Sequence, residues 1–219
     1  MRGLKDNGLT VVLMLAFTTT LAGMALSGWM AANEELARHG QAAIDFVAYC
    51  MSGGFVAALF ENWESEFLQM GFYVTLTAFL FQRGSSESKD PDAKEEGDED
   101  PAKHANDQHA PWPVRAGGLW RTIYSYSLGT TLLLLFAISF VAHWLGSTAA
   151  ANEEAIQHGR PVHTAIEYLS SAQLWFESFQ NWQSEFLSTA VLVVLTIFLR
   201  FRGSPESKPV AAPHSQTGR

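Results

Sequence analysis

Glu66 and Glu185 are the side chains whose chemistry most needs an account, because each is ionisable, stands at the mouth of an apolar segment, and is framed by the same string. The first copy reads Asn62-Trp63-Glu64-Ser65-Glu66-Phe67-Leu68 and the second Asn181-Trp182-Gln183-Ser184-Glu185-Phe186-Leu187. A carboxylate inside a bilayer is costly, so it raises a functional reading: a cation or proton path, with Asn62 and Asn181 supplying neutral oxygens. At headgroup depth the same carboxylate costs little and can cap a positive helix end. Asn62, Ser65, Glu66 and Gln69 form a polar stripe, matched by Asn181, Ser184, Glu185 and Ser188. Trp63 and Trp182 fall on an aromatic face suited to the interfacial belt of a membrane.

A second set of chemistry-bearing residues is Glu35 with His39 and Glu154 with His158, i,i+4 pairs that could hold a metal on one helical face. Two ligands per pair leave such a site incomplete. The competing reading is a capped helical turn in which Asn33 or Asn152 is the N-cap and Gly40 or Gly159 ends the turn. No Gly-rich phosphate loop, nucleophile–base pair or HExxH zinc signature occurs, so neither a catalytic residue nor a cofactor is expected. His143 stands where the first copy has Met24 and reads as a helix contact.

The elements that position these residues are apolar and long. Leu9 to Met30 is uncharged for 22 residues and Ser127 to Asn152 for 26, each longer than the roughly 20 that cross a bilayer core. The segments after the two Glu motifs are uncharged for only 16 and 14 residues. They span only if their helices begin upstream, at Phe55 and near Leu174. Small residues at four-residue steps, Gly23, Ser27 and Ala31, then Ala142, Gly146 and Ala150, predict seams where helices approach closely. Between the long segments, Ile44, Val47 and Tyr49, and Ile166, Tyr168 and Leu169, predict short amphipathic pieces on the membrane surface.

An offset of 119 residues aligns the two motifs, Ala32-Asn33-Glu34-Glu35 with Ala151-Asn152-Glu153-Glu154, and Arg83-Gly84-Ser85 with Arg202-Gly203-Ser204. The chain therefore reads as one unit written twice: an all-α membrane protein, a tandem repeat of two transmembrane hairpins with four spans. Residues 1–83 are the first hairpin, 84–118 a disordered acidic linker, 119–203 the second hairpin and 204–219 a disordered tail. Arg2 and Lys5 before an apolar run resemble a secretory leader, but the second copy argues for a retained helix. Twelve of the 14 Lys and Arg lie in the tails, the linker or at the end of the last span, which predicts cytoplasmic termini in a bacterial inner membrane.

The net charge of −8 argues against nucleic acid as a partner. The lone Cys50 excludes an internal disulfide. Expected partners are the bilayer, a second copy or a larger membrane complex, and possible cations.

The string Glu61-Asn62-Trp63-x-Ser65-Glu66-Phe67-Leu68, followed by Phe79-Leu80-Phe81-Gln82-Arg83-Gly84-Ser85-x-Glu87-Ser88-Lys89, resembles that of a family of small bacterial inner-membrane proteins known only as a domain of unknown function. The resemblance implies the membrane class and brings no activity. Three functions remain open: a structural or accessory membrane protein that self-associates, a small cation or proton conductor using Glu66 and Glu185, and an outward-facing metal or ligand sensor.

Overall fold

The computed structural model describes residues 6–218. Arg2 and Lys5, which enter the leader and orientation readings, lie outside them. The described residues are helical, without a strand. Four helices are long: α1 (Gly8–Arg38), α3 (Gly53–Leu76), α6 (Ser127–Gln157) and α8 (Ala172–Phe198). Short helices α2 (Phe46–Cys50) and α7 (Ala165–Tyr168) precede α3 and α8, and α4 (Trp112–Ala116) and α5 (Gly118–Ser125) precede α6. Among the described residues two helices, α1 and α6, are long and apolar enough to cross a membrane. In α3 and α8 the polar residues of the motifs lie inside the helix, and both helices start upstream of their motifs.

The chain divides into two compact units, Met1–Phe60 with Ala142–Ser171, and Glu61–Val141 with Ala172–Arg219.

In the first unit, α1 does not stop at Met30. Glu34, Glu35, Leu36 and Ala37 are good helix formers and carry it to Arg38. Asn33 is therefore not an N-cap, which corrects the capped-turn reading at its start. Its amide instead clamps the following loop, donating to the Ile44 carbonyl (3.1 Å) and accepting from the Ile44 N–H (2.8 Å). The Trp29 indole donates to the same carbonyl (2.8 Å). Asn152 makes the matching pair of bonds with His163 (2.9 and 2.8 Å). The other end of the turn holds: Gly40 and Gly159 adopt φ of 67° and 63°, the left-handed geometry that ends a helix.

α2 is capped by Asp45, which accepts from the Ala48 N–H (2.9 Å). In α7 the Thr164 hydroxyl accepts from the Glu167 N–H (3.2 Å) while the Glu167 carboxylate accepts from the Thr164 N–H (2.7 Å), a capping box.

The small-residue seam is visible where α3 meets α6. A Cβ on Gly53 would lie 2.5 Å from the Ala150 nitrogen, and one on Gly146 would lie 2.6 Å from the Ala57 nitrogen. Backbone meets backbone here, so neither position has room for a side chain. In α1, by contrast, a Cβ on Gly23 would meet nothing.

In the second unit, the Arg-Gly-Ser-x-Glu-Ser-Lys strings fold alike. Ser88 Oγ accepts from the Gln82 N–H (2.8 Å) and Ser85 Oγ from the Glu87 N–H (3.1 Å). Ser207 Oγ accepts from the Phe201 N–H (2.9 Å) and Ser204 Oγ from the Glu206 N–H (3.1 Å). Gly84 and Gly203 turn the chain at φ of 84° and 86°. The segment whose composition reads as a tether thus opens with a buried turn, in which Ser85, Ser86 and Ser88 are covered.

The two lysines that close these strings differ. Lys89 pairs with Asp98 (2.5 Å). Lys208 is buried, and its ammonium donates to the carbonyls of Gly84, Gln216 (2.9 Å) and His214 (3.1 Å), which fastens the C-terminal residues. Burial, with Arg200 a smaller cause, lowers its pKa below the usual lysine range.

Two outcomes are expected. Gly146→Leu destabilises the protein by roughly 1–3 kcal/mol or more, from overpacking against α3; thermal unfolding in detergent reads it, and an unchanged midpoint counts against the contact. Lys208→Met leaves the carbonyl cluster without its donor and exposes residues 209–218 to limited proteolysis, while Lys89→Met leaves those residues as protected as in the parent.

Candidate functional site

Within the second unit, α3 and α8 bring the two copies of the motif together. Asn181 Nδ2 donates to Glu61 Oε1, and one turn on Trp182 Nε1 donates to Glu64 Oε1 (3.1 Å). Gln69 Nε2 donates to Thr189 Oγ1, and the rings of Phe72 and Phe186 lie 5.8 Å apart, edge to face. From Glu61–Asn181 through Glu64–Trp182 to Gln69–Thr189 the partner numbers rise together, so the two helices run in the same direction. Between these rungs, Glu66 and Glu185 stand close enough to repel each other electrostatically.

Other members of the polar stripe act differently. Ser65, Ser184 and Ser188 donate to the carbonyls of Asn62 (2.9 Å), Asn181 (2.8 Å) and Glu185 (2.9 Å) in their own helices. Their hydroxyls satisfy the backbone instead of lining the seam. Asn62 and Glu66 are exposed and Glu185 is half-buried.

The carboxylate with no exposure is Glu64 (0%), which sequence reasoning passed over because its counterpart is Gln183. The only signal for it was an extra acid inside an aromatic and apolar helix. Trp182 belongs to an aromatic cluster, with ring centroids 5.9 Å from Phe136 and 5.5 Å from Phe179. Its indole N–H is directed at Glu64, while Trp63 in the first copy is half-buried. One turn before Trp182, Ser178 is fully buried and its hydroxyl has no hydrogen-bond partner among the described residues. His143, on α6, is also fully buried.

The metal candidates are used locally. Glu35 accepts from Arg38 (2.7 Å) and bonds His39 Nε2 (2.9 Å), and His158 Nδ1 bonds the Glu154 carbonyl (2.9 Å). All four residues are exposed, and no three His, Cys, Asp or Glu among the described residues form a group able to hold a metal ion.

A family described as a domain of unknown function (DUF6766) matches residues 1–219. The chain belongs to this family. No curated protein and no solved structure matches it. Membership assigns no role to any residue, so the seam between α3 and α8 is read from its own chemistry. The acids of the two helices are Glu61, Glu64 and Glu66 in α3 and Glu177 and Glu185 in α8, Glu177 accepting from Gln173 (2.7 Å), and neither helix contains a lysine or arginine.

Glu64 separates two kinds of replacement. Glu64→Gln keeps an oxygen for the Trp182 indole and is expected to be mild. Glu64→Leu leaves a buried N–H unpaired and costs roughly 1–3 kcal/mol. Unfolding followed by tryptophan fluorescence reads the difference; equal losses for both variants would remove the hydrogen bond from the account.

Proposed function

We propose that this protein is an integral membrane protein of two transmembrane hairpins, with α1, α3, α6 and α8 all crossing an inner membrane and both termini on the cytoplasmic side. The seam between α3 and α8 takes up a proton or a small cation. The observation that carries this reading is the electrostatic repulsion between Glu66 and Glu185, set between hydrogen-bonded rungs of two helices that contain no basic residue. Their repulsion is relieved by a proton shared between them or by a cation held between them. Amide and hydroxyl groups on the adjoining rungs, from Asn181, Gln69 and Thr189, supply further polar atoms along the same line.

Neighbouring rungs favour a second, structural reading. Hydrogen bonds from Asn181 to Glu61 and from Gln69 to Thr189 are the kind that hold helices together in lipid, where apolar burial gives little drive for association. On that reading the protein is an accessory or self-associating membrane component and the seam is its internal fastening.

Vesicles containing the purified protein and an internal pH indicator separate the two. Under an imposed potential the parent is expected to move protons, and Glu66→Gln with Glu185→Gln to lose most of that flux while keeping the parent's unfolding midpoint. Flux no greater than in empty vesicles, tested with protons and with sodium and potassium, leaves the structural reading. A parent that extracts from membranes with carbonate removes the integral placement itself.

A further inference from the structure

Residues 111–126, Pro-Trp-Pro-Val-Arg-Ala-Gly-Gly-Leu-Trp-Arg-Thr-Ile-Tyr-Ser-Tyr, stand apart from the acidic stretch before them. Between Gly84 and Ala110 there are nine acids against three lysines, whereas 111–126 hold no acid and two arginines, Arg115 and Arg121. The structure folds them as α4 and α5, joined at Gly117, whose φ of 70° and ψ of −167° only glycine adopts readily. That turn brings Trp112 and Trp120 to a ring separation of 5.4 Å.

α5 is two-sided. At 100° per residue, Leu119, Trp120, Ile123 and Tyr124 occupy one face, and Arg121, Thr122 and Ser125 the other. The apolar face is bare: Leu119 is 73% exposed, Trp120 57% and Ile123 54%. Only Tyr126, itself 67% exposed, separates α5 from α6, one of the two helices apolar enough to cross a membrane.

We infer that α4 and α5 form a surface anchor that lies in the headgroup layer of an anionic bilayer, beside the entry of α6. Paired tryptophans and tyrosines occupy the layer that aromatic side chains favour, and Leu119 and Ile123 dip below it. Arg115 and Arg121 meet anionic lipid phosphates, to which the acidic stretch before them is opposed in charge preference. The anchor fixes the angle at which α6 enters the membrane. A chain about to enter a bilayer at Ser127 has that bilayer as its nearest apolar surface, which decides the occupant in favour of lipid.

This inference rests on α6 being a span, and the test keeps the two apart. The full chain, with Cys50→Ser, is spin-labelled singly at Ile123→Cys, Thr122→Cys or Leu134→Cys in bilayer discs containing phosphatidylglycerol. Oxygen is expected to reach the label more readily than a water-soluble nickel complex at Ile123 and Leu134, with the reverse at Thr122. Arg115→Gln and Arg121→Gln should each shift the surface-bound to free ratio at Ile123 about fivefold, as should replacing anionic by zwitterionic lipid. A water-exposed label at Ile123 beside a lipid-exposed label at Leu134 overturns the anchor alone. Water exposure at Leu134 overturns the span as well. Protection at Ile123 that depends on protein per disc, and not on lipid charge, assigns the face to a second copy and also overturns the proposal.

Discussion

A carboxylate without exposed surface has to find its hydrogen-bond donors inside the protein, and for Glu64 one of these is the indole of Trp182. In surroundings of low dielectric such a bond is strong when made and expensive when missing. It therefore fixes the register of α3 against α8 more firmly than the apolar contacts around it, which tolerate sliding. With Glu64 opposite Trp182, the Asn181 amide falls on Glu61 and the Gln69 amide on Thr189. Glu66 and Glu185 are then held near each other by bonds that neither carboxylate makes. Their proximity is a consequence of the register.

The ends of these helices are secured by small polar residues that look like loop composition. Beyond α3, the Ser85 and Thr196 hydroxyls share a buried hydrogen bond (2.8 Å), which ties the turn after α3 to the last part of α8. Gly218 N–H donates to the Ser85 carbonyl (3.0 Å) and Lys208 to that of Gly84, so the C-terminal residues cover the same turn. The seam is thus bounded at one end by the indole and carboxylate of the motif and at the other by hydroxyls and carbonyls. In the first unit, Asn33 and Asn152 play the corresponding part, each converting a side-chain amide into a two-point clamp on a loop.

Much of this was legible in the residues, for identifiable reasons. The uncharged runs after the motifs were too short to span by themselves, so an upstream start of α3 and α8 was the condition for their crossing a membrane, and both helices start upstream. Gly40 and Gly159 announced helix ends because few other residues accept that backbone geometry. Gly146 marked a close approach because small residues recur on its face. Asn33 was misread because a charged pair following an apolar run looks like the start of a new turn, whereas Glu and Leu continue a helix as readily as they begin one. Glu64 was missed for a different reason: requiring both copies to carry a residue discards positions at which the copies differ. Residues 111–126 were divided between the linker and the second hairpin at 118/119 because two small helices are too short to alter a composition average, and only their folded geometry brings Trp112 beside Trp120.

The differences between the copies carry information that their likeness conceals. On the first two rungs of the seam, α3 supplies acceptors, Glu61 and Glu64, and α8 supplies donors, Asn181 and Trp182. Position by position, Gln180 and Gln183 stand in α8 where α3 has the two acids. Two α3 helices placed face to face would set three carboxylates against three, with no base to offset them. Two α8 helices would offer the indole and amide only the neutral amide oxygens of Gln180 and Gln183, weaker acceptors than a carboxylate. Pairing α3 with α8 avoids that repulsion and keeps charged acceptors for both donors, so the differences between the two helices favour the mixed pair. Two identical helices would have had no such preference, and the seam would have formed as readily between chains as within one.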